Sequence, residues 1–192
     1  MKWLLAIATF TAIGCHVNVE DTPVQKQSTT SVTSSPKEVI PKPTPAPAAQ
    51  VQKKGFNPNR IHQLYDLRTT TLTINGQKLT AYLMDNDSLR SEGFMFVKDQ
   101  DVQPNQAMLF VFPDSSERGF WMHNTIMPLD IAYIGSDKVV VSATTMKPLD
   151  ESNVPSHGKA MYALEMKKGT IQRLGIRKGA KVGIPPDVKA IE

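Results

Sequence analysis

The chain of 192 residues contains a single cysteine, Cys15. With no second thiol there can be no internal disulfide, so any folded part must hold itself together through its own apolar core. Long apolar runs are scarce too. The N-terminal one, Trp3 to Ile13, falls well short of the ~20 residues that a helix needs to cross a bilayer. Signatures of common chemistry are also missing. There is no G-x-S-x-G, no dinucleotide or phosphate loop, no zinc-ribbon spacing and no internal repeat. His62, His123 and His157 lack close ligand spacing, so neither a metal nor a cofactor is expected. The methionines from Met84 to Met166 suit core filling better than capture of soft copper(I).

One-sided charge is in short supply as well. The formal charge of +4 comes mostly from the first 58 residues, which hold six lysines against three acids. From Asn59 onward, 16 Lys and Arg face 15 Asp and Glu. The locally basic stretch from Lys159 to Lys189 is a single acid-poor segment, with Tyr162 as its one aromatic. It reads as a solvated surface, and no nucleic-acid partner is expected.

What is present begins with an export signal. Lys2 precedes the short apolar run, which has the length of a signal-peptide core. The run closes in Ala12-Ile13-Gly14-Cys15, which resembles a bacterial lipobox. Small residues there let an extended segment enter the signal peptidase, and the thiol accepts the lipid. Residues 1–14 are therefore expected to be a lipoprotein signal peptide, Cys15 the lipidated residue, and the mature protein an exported, membrane-anchored component of the cell envelope. Residues 15–58 carry a Ser/Thr-rich stretch and a Pro/Ala run, with seven of the 14 prolines before residue 59. Such a segment buries too little to offset its chain entropy and reads as a tether with a reach of roughly 35 Å.

Residues 59–192 read as one β domain. Leu67 to Ile74 and Gln77 to Met84 alternate as strands around Asn75-Gly76, a strong hairpin signal because both turn residues take positive φ. Asp85 to Asp87 offer caps for a short helix stopped at Gly93. Ala107 to Phe112, Leu129 to Ile134, Lys138 to Thr145 and Met161 to Met166 give further strands, and Thr170 opens a helical turn towards Leu174. The pattern predicts a mainly β fold: a compact antiparallel sandwich or barrel-like domain with one or two short helices.

The stretch from Phe120 to Ile131, Phe-Trp-Met-His-Asn-Thr-Ile-Met-Pro-Leu-Asp-Ile, follows Met108-Leu109-Phe110-Val111-Phe112. With Arg90 to Met95 before it and Tyr162-Ala163-Leu164-Glu165 after it, this resembles the uncharacterised bacterial and archaeal "domain of unknown function 192" family. The resemblance spans roughly Leu67 to Ile184. It implies a compact β fold, often behind a signal peptide, and no agreed activity.

The polar and aromatic residues inside those motifs are the candidate ligand-binding set: Arg90, Trp121, His123, Asn124, Thr125, Asp130 and Glu165. Asp130 and Glu165 each interrupt an apolar strand, where a carboxylate must face solvent, find a partner or serve a site. One reading gathers them in a pocket with Trp121 as a stacking platform. The other gives Asp130 and the Asn124-Thr125 turn structural work around Pro128, with Trp121 in the core. Three functions remain open at this point. The first is a non-catalytic binding domain for a small polar or carbohydrate ligand. The second is an envelope hydrolase using Asp130 and Glu165. The third is a structural lipoprotein that binds another envelope protein.

Overall fold

The structure, a computed structural model, describes residues 55–191. The expected signal segment, Cys15 and most of the tether lie outside the described residues. Nine elements follow in order: β1 (Thr69–Ile74), β2 (Gln77–Met84), α1 (Asp87–Glu92), β3 (Gln106–Phe120), β4 (Leu129–Ile134), β5 (Val140–Met146), β6 (Val154–Lys167), α2 (Thr170–Leu174) and β7 (Val182–Gly183). The mainly β expectation holds, and both short helices are present; α1 is capped from the expected Asp85 to Asp87 stretch, whereas Gly169 and not Thr170 stands at the N-cap of α2. Asn86 caps α1 by accepting from Leu89 N at 3.0 Å. Asn75 and Gly76, at φ 49° and 78°, make the tight turn from β1 to β2.

All seven strands form one sheet in the order β5-β4-β6-β3-β2-β1-β7. The sheet curls until its edges meet at one end, where Val139 bridges Lys181. Beside that bridge, Val140 N donates to Ala180 O and Gly179 N to Val140 O, both at 2.9 Å. The fold is thus a curled half-barrel with a short stitched seam. Every named strand pairing is antiparallel except β2 with β3, which run parallel. A parallel pair needs a crossover, and the segment from Asp85 to Asn105, which carries α1, provides it.

Curling gives the sheet two buried faces, which explains why β4 is buried at all six positions. Residues of one parity, such as Leu72, Leu83, Leu109, Ile134 and Leu164, fill the inside of the curl. Residues of the other parity, such as Met84, Met108, Phe110, Ile131 and Tyr133, form a second cluster on the outer face. Phe94, Val97, Val102, Met122 and Met127 cover that outer cluster, with Leu89 of α1 packed against it. At about 2 kcal/mol per large side chain removed from water, this second layer is a major part of the stability.

Candidate functional site

Between α1 and the loop that follows β3, the outer layer leaves a cleft of about 300 Å³. Phe110 of β3 and Glu165 of β6 lie among its lining residues. Arg90, Gly93 and Phe94 line it from α1 and the turn beyond. Phe112, Phe120, Trp121, His123 and Thr125 line it from β3 and the loop after it. Five of the seven residues singled out in the sequence therefore share one cavity: Arg90, Trp121, His123, Thr125 and Glu165.

Gly93 is a condition for the cleft. Its φ of 46° disfavours any residue with a Cβ, and a Cβ here would stand 3.1 Å from Phe110 Cζ and 3.6 Å from Glu165 Oε2. The helix can thus end directly over the carboxyl. Glu165 itself is only 4% exposed. Among the described residues it makes no hydrogen bond and no ion pair, and desolvation pushes its carboxyl up to about 8 from 4.5. On β4, Tyr133 has its phenol pushed upward, first by burial and then by the nearby Glu165. Its hydroxyl donates to Val154 O at 2.5 Å.

The other polar side chains around the cleft are committed. Arg90 donates to Val111 O at 2.7 Å and to Asp87 Oδ1 at 2.6 Å. Its guanidinium lies over the Phe112 ring at 5.4 Å, a ring that Arg118 also covers at 4.1 Å. Glu92 accepts from Ile61 N at 2.7 Å and His62 N at 2.9 Å. Thr125 Oγ1 donates to His123 O at 3.2 Å. At the mouth, Trp121 is 52% exposed, so it does not fill the core. It stacks on His123 with ring centroids 4.9 Å apart and planes 23° from parallel. His123 Nδ1 in turn meets Glu151 Oε1 at 2.6 Å.

The loops at this mouth are held in an uncommon backbone conformation. Phe96, Asn124 and Leu149 all have φ between 52° and 60°, which costs a non-glycine residue about 1 kcal/mol or more. Backbone hydrogen bonds hold the three in place, from Phe96 N to Asn124 O at 2.8 Å and from Leu149 N to Thr125 O at 3.0 Å. Asn124 contributes this turn and does not line the cleft.

Asp130 is not part of the site. In the β4–β6 register Asp130 stands opposite Met166, and Ile131 opposite Glu165. Directly opposed residues share a face, so Asp130 and Glu165 point to opposite sides of the sheet. The expected pocket holding both carboxylates, and a hydrolase built on that pair, are ruled out by this parity. Asp130 Oδ1 accepts from Thr145 Oγ1 at 2.7 Å and Oδ2 from Ile171 N at 2.8 Å. Gly169, at the start of α2, has no side chain to cap the helix, and Asp130 supplies that acceptor from a neighbouring strand. Its role is structural, as one reading held, but it serves β5 and α2 and not the turn before Pro128.

Sequence reasoning missed the aromatic wall made by Phe94, Phe110, Phe112 and Phe120, which read as ordinary core. It also missed Arg60, 7% exposed, which donates to Gly93 O at 2.9 Å, Met95 O at 2.6 Å and His62 O at 3.0 Å. Arg60 and Glu92, 3.5 Å apart, hold the α1 side of the cleft in place. Nothing around a lone arginine near the expected domain start signals that task. Among the described residues, no three His, Cys, Asp or Glu side chains gather in a way that could hold a metal ion.

Residues 70–184 match the family described as "Uncharacterized ACR, COG1430", and the chain belongs to this DUF192 family. No curated protein matches it. Two solved structures are similar over most of their own length. One, from Sinorhizobium meliloti 1021, is described as "a putative transcription regulator"; it is 29% identical, with a TM-score of 0.57, over 60% of this chain and 93% of that one. The other, a protein of unknown function from Novosphingobium aromaticivorans DSM 12444, is 30% identical, with a TM-score of 0.57, over 65% of this chain and 91% of that one.

Proposed function

We propose that the domain is a non-catalytic binding module for a small polar ligand, held at an envelope membrane by lipid on Cys15. The observation that carries the reading is the unpaired carboxyl of Glu165, lining a cleft with aromatic walls and an exposed Trp121 at its mouth. A buried polar group without a partner costs stability that an unused core position would not retain, and a ligand that pairs with it recovers that cost. Aromatic walls with few convergent polar groups are the usual make-up of small-molecule sites. The regulator role that the Sinorhizobium neighbour's name carries is not extended to this chain, because the folded part here has nearly balanced charge. The anchor rests on the lipobox-like Ala12 to Cys15. Replacing the exposed Trp121 by Ala is expected to weaken ligand binding by about 1–2 kcal/mol while leaving the unfolding midpoint nearly unchanged. Parallel binding titrations and thermal melts of the two proteins make the comparison. A large drop in the midpoint would make Trp121 scaffold and remove the platform from the proposal.

A further inference from the structure

The chemistry of the cleft also says what kind of small molecule fits it, and this inference rests on the binding reading above. The walls are rings, and deep among them sits one carboxyl with no partner. A sugar carries a hydroxyl on nearly every carbon, and each one needs a partner once it leaves water. The floor of this cleft offers a single free group. An anion would meet the ionised form of Glu165 as a like charge, while Arg90, the guanidinium that lines the cleft, already serves Asp87 and Val111 O. A compact organic cation has the opposite needs. It wants one counter-charge, and it gains from ring faces that hydrate nothing else.

We propose that the cleft binds a small organic ammonium ion, its cationic group seated at the Glu165 carboxylate among the rings of Phe110, Phe120 and Trp121. The charged and titratable groups around Glu165 are consistent with a net attraction for cations. Asp87, Arg90 and Glu92 of α1 and His123 of the loop after β3 share the cleft lining with it, and Tyr133 adjoins it from β4. Arg90 is balanced by Asp87 and Arg60 by Glu92, so an ionised Glu165 is the charge in the cleft that no cationic side chain answers. In the empty cleft its carboxyl holds a proton at neutral pH. An arriving cation displaces that proton to solvent, so binding and proton release are linked.

The experiment titrates the full chain with benzyltrimethylammonium, whose charge does not vary with pH, and follows the Trp121 indole resonance. With ionisation centred near pH 8, the charged fraction of Glu165 rises from about 1% at pH 6 to about 90% at pH 9. Affinity is expected to rise roughly 90-fold across that range. Glu165→Gln is expected to lose at least about tenfold in affinity at pH 9 and to show a flat pH profile. Circular dichroism verifies that the variant is folded. Benzyl alcohol, benzoate and N-acetylglucosamine are the comparison probes. If any of them binds as tightly as the cation and depends on Glu165, the ammonium inference is overturned and the binding-site reading stands. Silence from all four probes overturns both.

Discussion

Replacing Glu165 by Gln tests the electrostatics of the cleft without any ligand. Gln keeps the volume and the polar end of the side chain but cannot ionise, so it stands in for the protonated acid. In the wild type, burial raises the folded-state carboxyl to about 8 from an ordinary 4.5. Between those two values the unfolded chain has released a proton that the folded chain keeps. Stability therefore falls as pH rises, by about 1.4 kcal/mol per pH unit. The stabilisation is complete below about pH 4.5, is about 3 kcal/mol smaller at pH 7, and reaches its floor above about pH 8. Gln does not titrate, so the variant should exceed the wild type by about 3 kcal/mol at pH 7 and by more than about 4 kcal/mol at pH 9, and match it near pH 4.5. Urea unfolding of both proteins at pH 4.5, 7 and 9 measures the difference directly, and every other titrating group cancels in the comparison. Parallel stability profiles would refute the reasoning, because they would mean that Glu165 is ionised and hydrated in the folded protein.

Three further outcomes are expected. Asp130→Asn turns one accepting oxygen into a donor facing Thr145 Oγ1 or Ile171 N; it should cost about 1–3 kcal/mol in urea unfolding and leave ligand binding intact. Loss of binding at unchanged stability would put Asp130 back in the site. Arg60→Ala leaves the carbonyls of Gly93 and Met95 without their buried donor and should lower stability by about 3 kcal/mol or more in a thermal melt. A neutral result would mean that the α1 wall holds its shape without it. Cys15→Ser should move the full-length protein from the detergent phase to the aqueous phase in a partition assay, whereas wild-type protein already in the aqueous phase would dismiss the anchor.

The strands were legible wherever one physical signal acted alone. Gln77 to Met84 alternates, Asn75-Gly76 can hardly do anything but turn, and Leu129 to Ile134 is too apolar to lie on a surface; each was found where expected. The distal halves of β3 and β6 were not foreseen, because Pro113 to Gly119 is polar and shows no apolar alternation. They pair with each other through two register shifts, at Val111/Ser116 and Glu117/Gly119, and bulges of this kind leave little trace in composition. For the cleft, residue type was informative and facing was not. Trp121 and Glu165 stood out as polar or aromatic residues inside apolar motifs, and both line it. Asp130 stood out for the same reason, yet it faces the other way. Which side of a sheet a residue takes depends on pairing with a strand some 35 residues distant, and one strand's alternation cannot reveal that partner's register. The parallel pairing of β2 with β3 is non-local in the same sense.

The grip of Arg60 also fixes where mechanical load would enter the domain. Asn57 Nδ2 donates to Phe96 O at 2.7 Å, and Arg60 donates to the carbonyls of Gly93 and Met95. Those three carbonyls belong to the turn that roofs Glu165. A pull applied at Asn57 would thus reach the cleft wall before it reached the sheet. Any tension applied at Asn57 becomes a force on the cleft wall, and filling the cleft would stiffen that point of attachment.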